Sequence, residues 1–346
     1  MAIPVYGLTW HFYQSSALRE LLITPMSPFM QFEQLSWGEN GDLLEFHEEW
    51  LRRTPIIFFQ MPPPESILNH PDARITWIPM WDQAREYDLE WWRRLPKSMR
   101  VVSFSKEISH RARSVGLDTL DLRYSIYPVD SEQTDWGKPR TLFYWNRTGM
   151  VGEDFLYNIC ETLDVEILLF RHRIDPRIPS RCDYGLPKKL GKTVVKELTF
   201  APYGADAHRE YLKYLNQANI FIAPRLSEGV GLSFIEALAR GCAVFAYDAP
   251  TMNEYITHKS NGYLLQKRYI FGFNTGQKKI IKWLRRLGKF FFNNNPYPVT
   301  EWQNWAEIKK LELTALGNKA RQEQLEGYAA WKDVLPNYAR FILDWK

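Results

Sequence analysis

Residues 219–241 read Asn-Ile-Phe-Ile-Ala-Pro-Arg-Leu-Ser-Glu-Gly-Val-Gly-Leu-Ser-Phe-Ile-Glu-Ala-Leu-Ala-Arg-Gly. The apolar run Ile220 to Ala223 predicts a strand buried on both faces, as in the middle of a parallel sheet. Pro224 ends it. Gly229 and Gly231 bracket Val230 and permit a turn that a side chain would obstruct. From Gly231 onward, Leu232, Ile235, Leu238 and Ala239 recur at helical spacing. The first N–H groups of such a helix have no partner within it and carry the positive end of its dipole. Strand, glycine loop and helix in that order can hold a phosphate. The alternative is a glycine-capped helix in an ordinary α/β domain.

Two carboxylates flank this anion site. Glu228 lies in the loop and Glu236 on the helix, with seven residues between them. A carboxylate grips phosphate poorly but accepts hydrogen bonds from sugar hydroxyls. Phosphate donors between two hydroxyl acceptors suggest a ligand of sugar, diphosphate and ribose, which is a nucleotide sugar. In the capped-helix alternative both glutamates are simply solvated.

The run Ser227-Glu-Gly-Val-Gly-Leu-Ser-Phe-Ile-Glu-Ala-Leu-Ala-Arg-Gly-Cys-Ala-Val-Phe-Ala246 resembles the donor-site signature of the retaining glycosyltransferases of family 4 (glycosyl transferases group 1). That pattern is Glu-Gly-Phe-Gly, a second Glu, then Ala-Met-Ala-x-Gly and a strand. Val230 stands for the usual aromatic and Leu238 for the usual Met. The likeness continues through Pro250, Asn253, Glu254, Tyr255 and Ile256 to Asn261-Gly262-Tyr263-Leu264. It covers about residues 200–265 well and the flanks less closely. It implies an α/β protein of the GT-B fold, with two Rossmann-like doubly wound domains facing a central cleft.

The bulk numbers agree with such a chain. Its 346 residues suit two domains, and 45% hydrophobic with 24% charged residues is ordinary for a globular protein. Fourteen tryptophans are many; they can stack on sugars but serve more often in cores. A net charge of +4 suits anionic donors or surfaces without requiring them. Cys160, Cys182 and Cys242 are sparse and follow no metal-ligand spacing, which argues for a reducing compartment. No secretory leader and no apolar run of spanning length are legible. The expectation is a cytoplasmic protein, with a peripheral place at the inner membrane face left open.

In chain order, a first strand is expected around Ile3 to Leu8 and a helix from about Ser15 to Leu22. Pro55 to Gln60, Arg74 to Pro79 and Arg100 to Ser105 read as further strands. Lys106 to Val115 reads as a helix stopped by Gly116, and Asp121 to Ile126 as the last strand of the first half. Ligands of open parallel sheets sit beyond the carboxyl ends of strands. Trp81 and Asp82, after the Arg74 strand, therefore stand where chemistry can occur; alternatively Asp82 caps a helix beginning near Gln83. Residues 130–139 read as a linker. Thr141 to Trp145 restarts the pattern, followed by helix Glu153 to Leu163, strand Val165 to Phe170, strand Val194 to Phe200 and helix Asp206 to Asn216. After the organising segment come strand Ala243 to Tyr247 and a helical tail from Leu316. The division expected is 1–130, linker 131–139, a nucleotide-sugar domain 140–325, and a terminal helix 326–346 crossing back to the first domain. Residues 278–292 hold six basic residues and no acid. They suit an anionic membrane surface, nucleic acid, or a docked helix with a solvated basic face.

The resemblance implies roles as well. Arg147, after the Thr141 strand, matches an Arg that holds the donor diphosphate, together with the amides of Gly229, Val230, Gly231 and Leu232. The accompanying Lys position is Gly152; Arg171 and Arg225 are candidates to replace it. Glu236 takes the ribose hydroxyls and Glu228 the donor sugar. Ala201, Pro202 and Tyr203, with Arg171, form the expected base pocket. Trp10, His11 and Trp81 lie on the acceptor side, although the family's glycine-rich first loop is missing. Glu228, Arg147 and Asp82 are the catalytic candidates. No cofactor and no metal are expected, since no Asp-x-Asp pair stands at a strand end. The reaction implied moves a sugar from a nucleotide-diphosphate sugar to a saccharide, glycolipid or other hydroxyl acceptor. Two further readings are transfer to modified bases of DNA and a non-catalytic binding subunit.

Overall fold

The computed structural model describes residues 2–8, 16–36, 50, 54–146, 153–171, 188–199, 205–223, 225, 227–266, 268–269, 299–300 and 304–345. Trp10, His11, Arg147, Gly152, Ala201, Pro202, Tyr203 and the 278–292 segment lie outside the described residues.

Two sheets carry the fold. The first contains β1 (Ile3–Gly7), β2 (Phe32–Ser36), β3 (Ile56–Phe59), β4 (Ile75–Ile78), β5 (Arg100–Ser103) and β6 (Asp118–Asp121), in the order β2-β1-β3-β4-β5-β6. All its pairings are parallel. The sequence accounts for this order. β1, β3 and β4 are buried at every position, whereas β2 and β6 each expose residues, as edge strands do. Alternation splits the apolar residues between two faces. Val5, Ile57, Phe59 and Ile78 join one core cluster, and Tyr6, Ile56, Phe58 and Trp77 join the other.

The second sheet contains β7 (Thr141–Trp145), β8 (Ile167–Arg171), β9 (Lys189–Leu190), β10 (Thr193–Leu198), β11 (Ile220–Ile222), β12 (Ala243–Tyr247) and β13 (Tyr263–Leu265). Its order is β13-β12-β11-β7-β8-β10-β9. Every pair is parallel except the short edge strand β9 against β10. The chain moves outward from β7 through β8 and β10, then returns to lay β11 on the other side. The switch point therefore falls between β7 and β11, and a crevice opens beyond their carboxyl ends.

A single helix, Leu313–Leu343, joins the two sheets. Near its start it packs on the helix Leu232–Arg240 and on β12. Farther along, Trp331 meets Phe104 at 6.1 Å and Tyr124 at 5.5 Å between ring centroids. At its end the Arg100 guanidinium donates to the Phe341 carbonyl at 2.7 Å and stacks over Trp345. The connection after β6 is fastened too. Arg240 is buried and donates to Glu132 and Asn216, both at 2.6 Å.

Three sequence expectations are corrected. The strand expected at Asp121 to Ile126 lies at Asp118–Asp121, paired with β5. Beyond it, Leu122 and Tyr124 are buried, but the Tyr124 amide donates to the Tyr255 hydroxyl instead of to a strand. Those apolar residues serve contact between the halves, which mimics a strand pattern. The first helix does not stop near Leu22: a π-helical turn Arg19–Ile23 runs into Thr24–Met26, burying Met26. The terminal helix begins at Leu313, within the range expected for the nucleotide-sugar domain. Among the described residues no helix is long and apolar enough to cross a membrane.

One contact between the halves carries a prediction. The helix Lys106–Ser114 starts without a cap from its own Ser105 side chain. Glu254, from beyond β12, accepts from the Lys106 amide at 2.8 Å and from the Ser105 hydroxyl at 3.0 Å. A carboxylate there satisfies an orphan N–H and meets the positive helix end. Glu254→Ala is expected to cost about 1 kcal/mol. It should appear as a lower urea midpoint with an unchanged slope.

Candidate functional site

The glycine loop is built as its sequence requires. β11 ends at Ile222, and the helix Leu232–Arg240 begins after Gly231, whose φ of 88° is left-handed. A Cβ at Gly231 would lie 1.9 Å from the Phe234 ring, so the position excludes any side chain. The Thr251 hydroxyl donates to the Val230 carbonyl at 3.0 Å and pins the loop from the β12 side. The helix N-terminus thus lies at the carboxyl end of β11, at the switch point, with Val230 buried.

Beside the loop stands a three-residue charge cluster that crosses the cleft. Arg225 Nη2 is 3.0 Å from Asp82 Oδ2, and Arg225 Nη1 is 3.2 Å from Glu228 Oε2. Asp82 belongs to the short helix Trp81–Ala84 after β4 of the first sheet; Arg225 and Glu228 follow β11 of the second. The side chains are 17%, 28% and 5% exposed for Asp82, Arg225 and Glu228. This degree of burial strengthens their attraction relative to open water. Glu228 foremost, then Asp82, raises the Arg225 guanidinium above its ordinary pKa against the opposing effect of burial. Asp82 Oδ1 is buried and has no hydrogen-bond partner among the described residues. It lies 3.1 Å from where a Cβ on Gly229 would stand. A carboxylate oxygen thus faces the glycine loop from across the cleft.

Glu236, on the helix behind the loop, is 8% exposed. Its Oε1 lies 2.7 Å from His208 Nε2 on the helix Ala205–Leu215. The hydrogen bond and charge of Glu236 raise the His208 imidazole above its ordinary pKa.

The structure therefore brings Asp82, Glu228, Gly229, Val230, Gly231 and Leu232 together, with Glu236 on the same helix as Leu232. It corrects four placements. Asp82 caps nothing: the helix Trp81–Ala84 has Met80 at its N-cap, and Asp82 turns to Arg225. Arg225, considered for the diphosphate, already has its guanidinium between two carboxylates. Arg171 is fully buried, its guanidinium 4.3 Å from the Trp145 ring centroid, and offers no surface to a nucleotide. Trp81 is buried in the smaller core with Arg111 stacked 4.7 Å over its ring, so it is not an acceptor-facing platform. His208 and Thr251 are additions that the sequence does not single out. Each reaches the site from a different element, and no local pattern marks either. Among the described residues no group of three or more His, Cys, Asp or Glu is placed to hold a metal ion.

Comparison with known proteins adds to this geometry. Residues 196–284 match the family model for glycosyl transferases group 1. The matched stretch contains the glycine loop, Glu228 and Glu236. No curated protein sequence matches the chain. Among solved structures, Anabaena Alr3699/HepE in complex with UDP superposes with a TM-score of 0.57 at 12% identity, covering 98% of this chain and 100% of that one. WaaG, a glycosyltransferase involved in lipopolysaccharide biosynthesis, gives 0.54 at 11%, covering 98% and 99%. TarM gives 0.50 at 14%, covering 85% of this chain; the match spans 56% of the length of TarM. The shared architecture is GT-B. The glycosyl transferases group 1 match and the GT-B fold agree with two parallel sheets and a cleft between them.

Proposed function

We propose that this protein is a retaining glycosyltransferase that moves a sugar from a nucleotide-diphosphate sugar to a hydroxyl of a saccharide or glycolipid. The observation that carries the reading is the cross-cleft cluster Asp82–Arg225–Glu228 beside a glycine-capped helix N-terminus, with Glu236 on that helix. In this reading residues 140–325 hold the donor and residues 1–130 the acceptor. The loop amides and Arg147 take the diphosphate, Glu236 the ribose, and Glu228 the hydroxyls of the transferred sugar. Residues 201–203 take the base. UDP is the first nucleotide to test, because HepE was solved with it. A glycolipid acceptor is supported by the role given for WaaG.

The reaction breaks the bond between the anomeric carbon and the diphosphate oxygen. It forms a bond from that carbon to the acceptor oxygen, and the acceptor proton passes to the departing diphosphate. Negative charge grows on that diphosphate, and fixed amide dipoles aimed at it lower the barrier. Glu228, anchored by Arg225, keeps its place while sugar hydroxyls donate to it. Asp82 Oδ1, buried against the glycine loop without a hydrogen-bond partner among the described residues, would accept a hydrogen bond from the incoming hydroxyl once the loop makes room. No protein base and no metal enter this scheme. Closure of the two halves excludes water and limits hydrolysis.

Transfer from UDP-sugars to a panel of saccharides and lipid-linked saccharides tests the reading. Glu228→Gln should lower kcat about 100-fold, in the range of losing one electrostatic contact at a reacting centre. The product should carry the same anomeric configuration as the donor, read by NMR coupling constants. An inverted product would overturn retention, and no transfer from any nucleotide sugar would overturn the reading as a whole.

A further inference from the structure

Glu236 reaches the nucleotide site with one of its oxygens already engaged. His208 Nε2 lies 2.7 Å from Oε1, and His208 itself is held in place. Its ring lies parallel to Tyr211 at 6.1 Å and 12°. The Tyr211 hydroxyl in turn donates to the Ser233 carbonyl at 2.9 Å, on the first turn of the helix that bears Glu236. The two helices are thus cross-linked by two hydrogen bonds, Tyr211 to Ser233 and His208 to Glu236. The His208 side chain is 34% exposed and that of Glu236 11%, so the imidazole meets solvent with the carboxylate set inward.

We propose that His208 is a positioning residue of the nucleotide site: its Nε2–H fixes the Glu236 carboxylate in the orientation that accepts the ribose hydroxyls. This rests on the nucleotide-sugar reading above. A carboxylate has about four lone-pair directions, and His208 occupies one. The Tyr211 hydroxyl also lies against this carboxylate, and the lone pairs that these two neighbours leave are the ones a vicinal diol would meet. A glutamate side chain left to itself samples several rotamers, and ordering it on binding weakens affinity. A charge-assisted bond from a ring already held by Tyr211 removes that penalty before the ligand arrives.

The charged form of His208 is the one that performs this task best. Glu236 on the helix Leu232–Arg240 and Glu20 on the π-helical turn favour it, while burial and Arg19 oppose it. Burial, then the Glu236 charge, keeps the Tyr211 hydroxyl protonated beside that carboxylate, and the Tyr124 hydroxyl, in contact with Glu20, is held protonated by burial. The net result lies above the ordinary value of 6.5. The proton is therefore kept below that raised value and lost as pH rises through it. Affinity for the donor should be greatest on the acid side and fall on the alkaline side.

Calorimetric titration with UDP-glucose, GDP-glucose and ADP-glucose between pH 6 and 9 tests this, since their doubly esterified diphosphates do not titrate there. For the sugar nucleotide that binds, His208→Ala should raise Kd about ten-fold, the scale of one hydrogen bond to a charged group. It should also abolish the pH dependence. His208→Gln retains a neutral donor; it should recover most of the affinity while remaining independent of pH. In turnover assays the change should appear in KM, with kcat within about two-fold. A His208→Ala protein with wild-type affinity and pH profile would overturn the positioning role while leaving the nucleotide reading intact, provided Glu236→Ala abolishes binding. No binding of any of the three to the wild type would overturn both.

Discussion

Arg225→Ala is expected to lower transfer about 100-fold or more and to destabilise the fold by about 2–4 kcal/mol. Both losses follow from what the substitution leaves behind. Asp82 and Glu228 both approach the guanidinium within 3.2 Å, and both are largely buried. Without the cation, two carboxylates share a desolvated site, and unpaired buried charge costs more than a surface pair gains. The fold can respond by protonating one of them or by opening the cleft. Either outcome removes Glu228 from the geometry in which we propose that it receives the sugar. Arg225→Lys keeps the charge but not the planar fork, so it cannot address both carboxylates equally. It should recover much of the stability and little of the activity. Chemical denaturation and steady-state kinetics on the two variants check this. A double-mutant cycle of Arg225→Ala with Asp82→Asn should give a coupling of about 1 kcal/mol or more. Full activity in Arg225→Ala would show that the cluster is a tether only.

Gly231→Ala is the second large effect. The residue has a left-handed φ, and an added Cβ would fall within 1.9 Å of the Phe234 ring. Relief requires Phe234, fully buried, to leave its place, or the loop to unwind. Strain and overpacking together are expected to cost about 3 kcal/mol. Nucleotide affinity should fall at least ten-fold, because the amides at the helix start no longer converge. Gly116→Ala separates the causes. Gly116 also has a left-handed φ, of 79°, but nothing lies within 4 Å of its would-be Cβ. That variant should lose only about 1 kcal/mol and bind nucleotide normally. Equal losses in both would place the cost in backbone strain alone.

The loop around Gly231 was legible in the sequence because its determinants are local. An apolar run, a proline, two glycines and a 3.6-residue period lie within about twenty residues and agree with one another. The central strands β3 and β4 were legible for the same reason. The cross-cleft cluster was not. Asp82 and Arg225 belong to different sheets, and nothing near either in sequence names the other. Arg171 and Trp81 misled in a related way. A cation or an aromatic after a strand end looks like ligand-binding material, but here each is buried in a cation–aromatic stack, a choice made by packing. Leu122 and Tyr124 produced a strand-like alternation because they pack between the halves rather than in a sheet. His208 lay hidden because the partner that defines it, Glu236, is on another helix.

We propose that the cleft beside Gly231 holds a nucleotide sugar, with Glu236 on its ribose. Thermal unfolding of the wild type and of Glu236→Ala, each with UDP, GDP, ADP and their sugars, decides this. Ligand at about a hundred times its dissociation constant adds about 2.7 kcal/mol of stability, a shift of several degrees or less for a chain of this size. Nucleotides of one base should raise the wild-type transition, and the shift should be lost in Glu236→Ala. An unshifted wild type with every nucleotide, or an equal shift in both proteins, would contradict it.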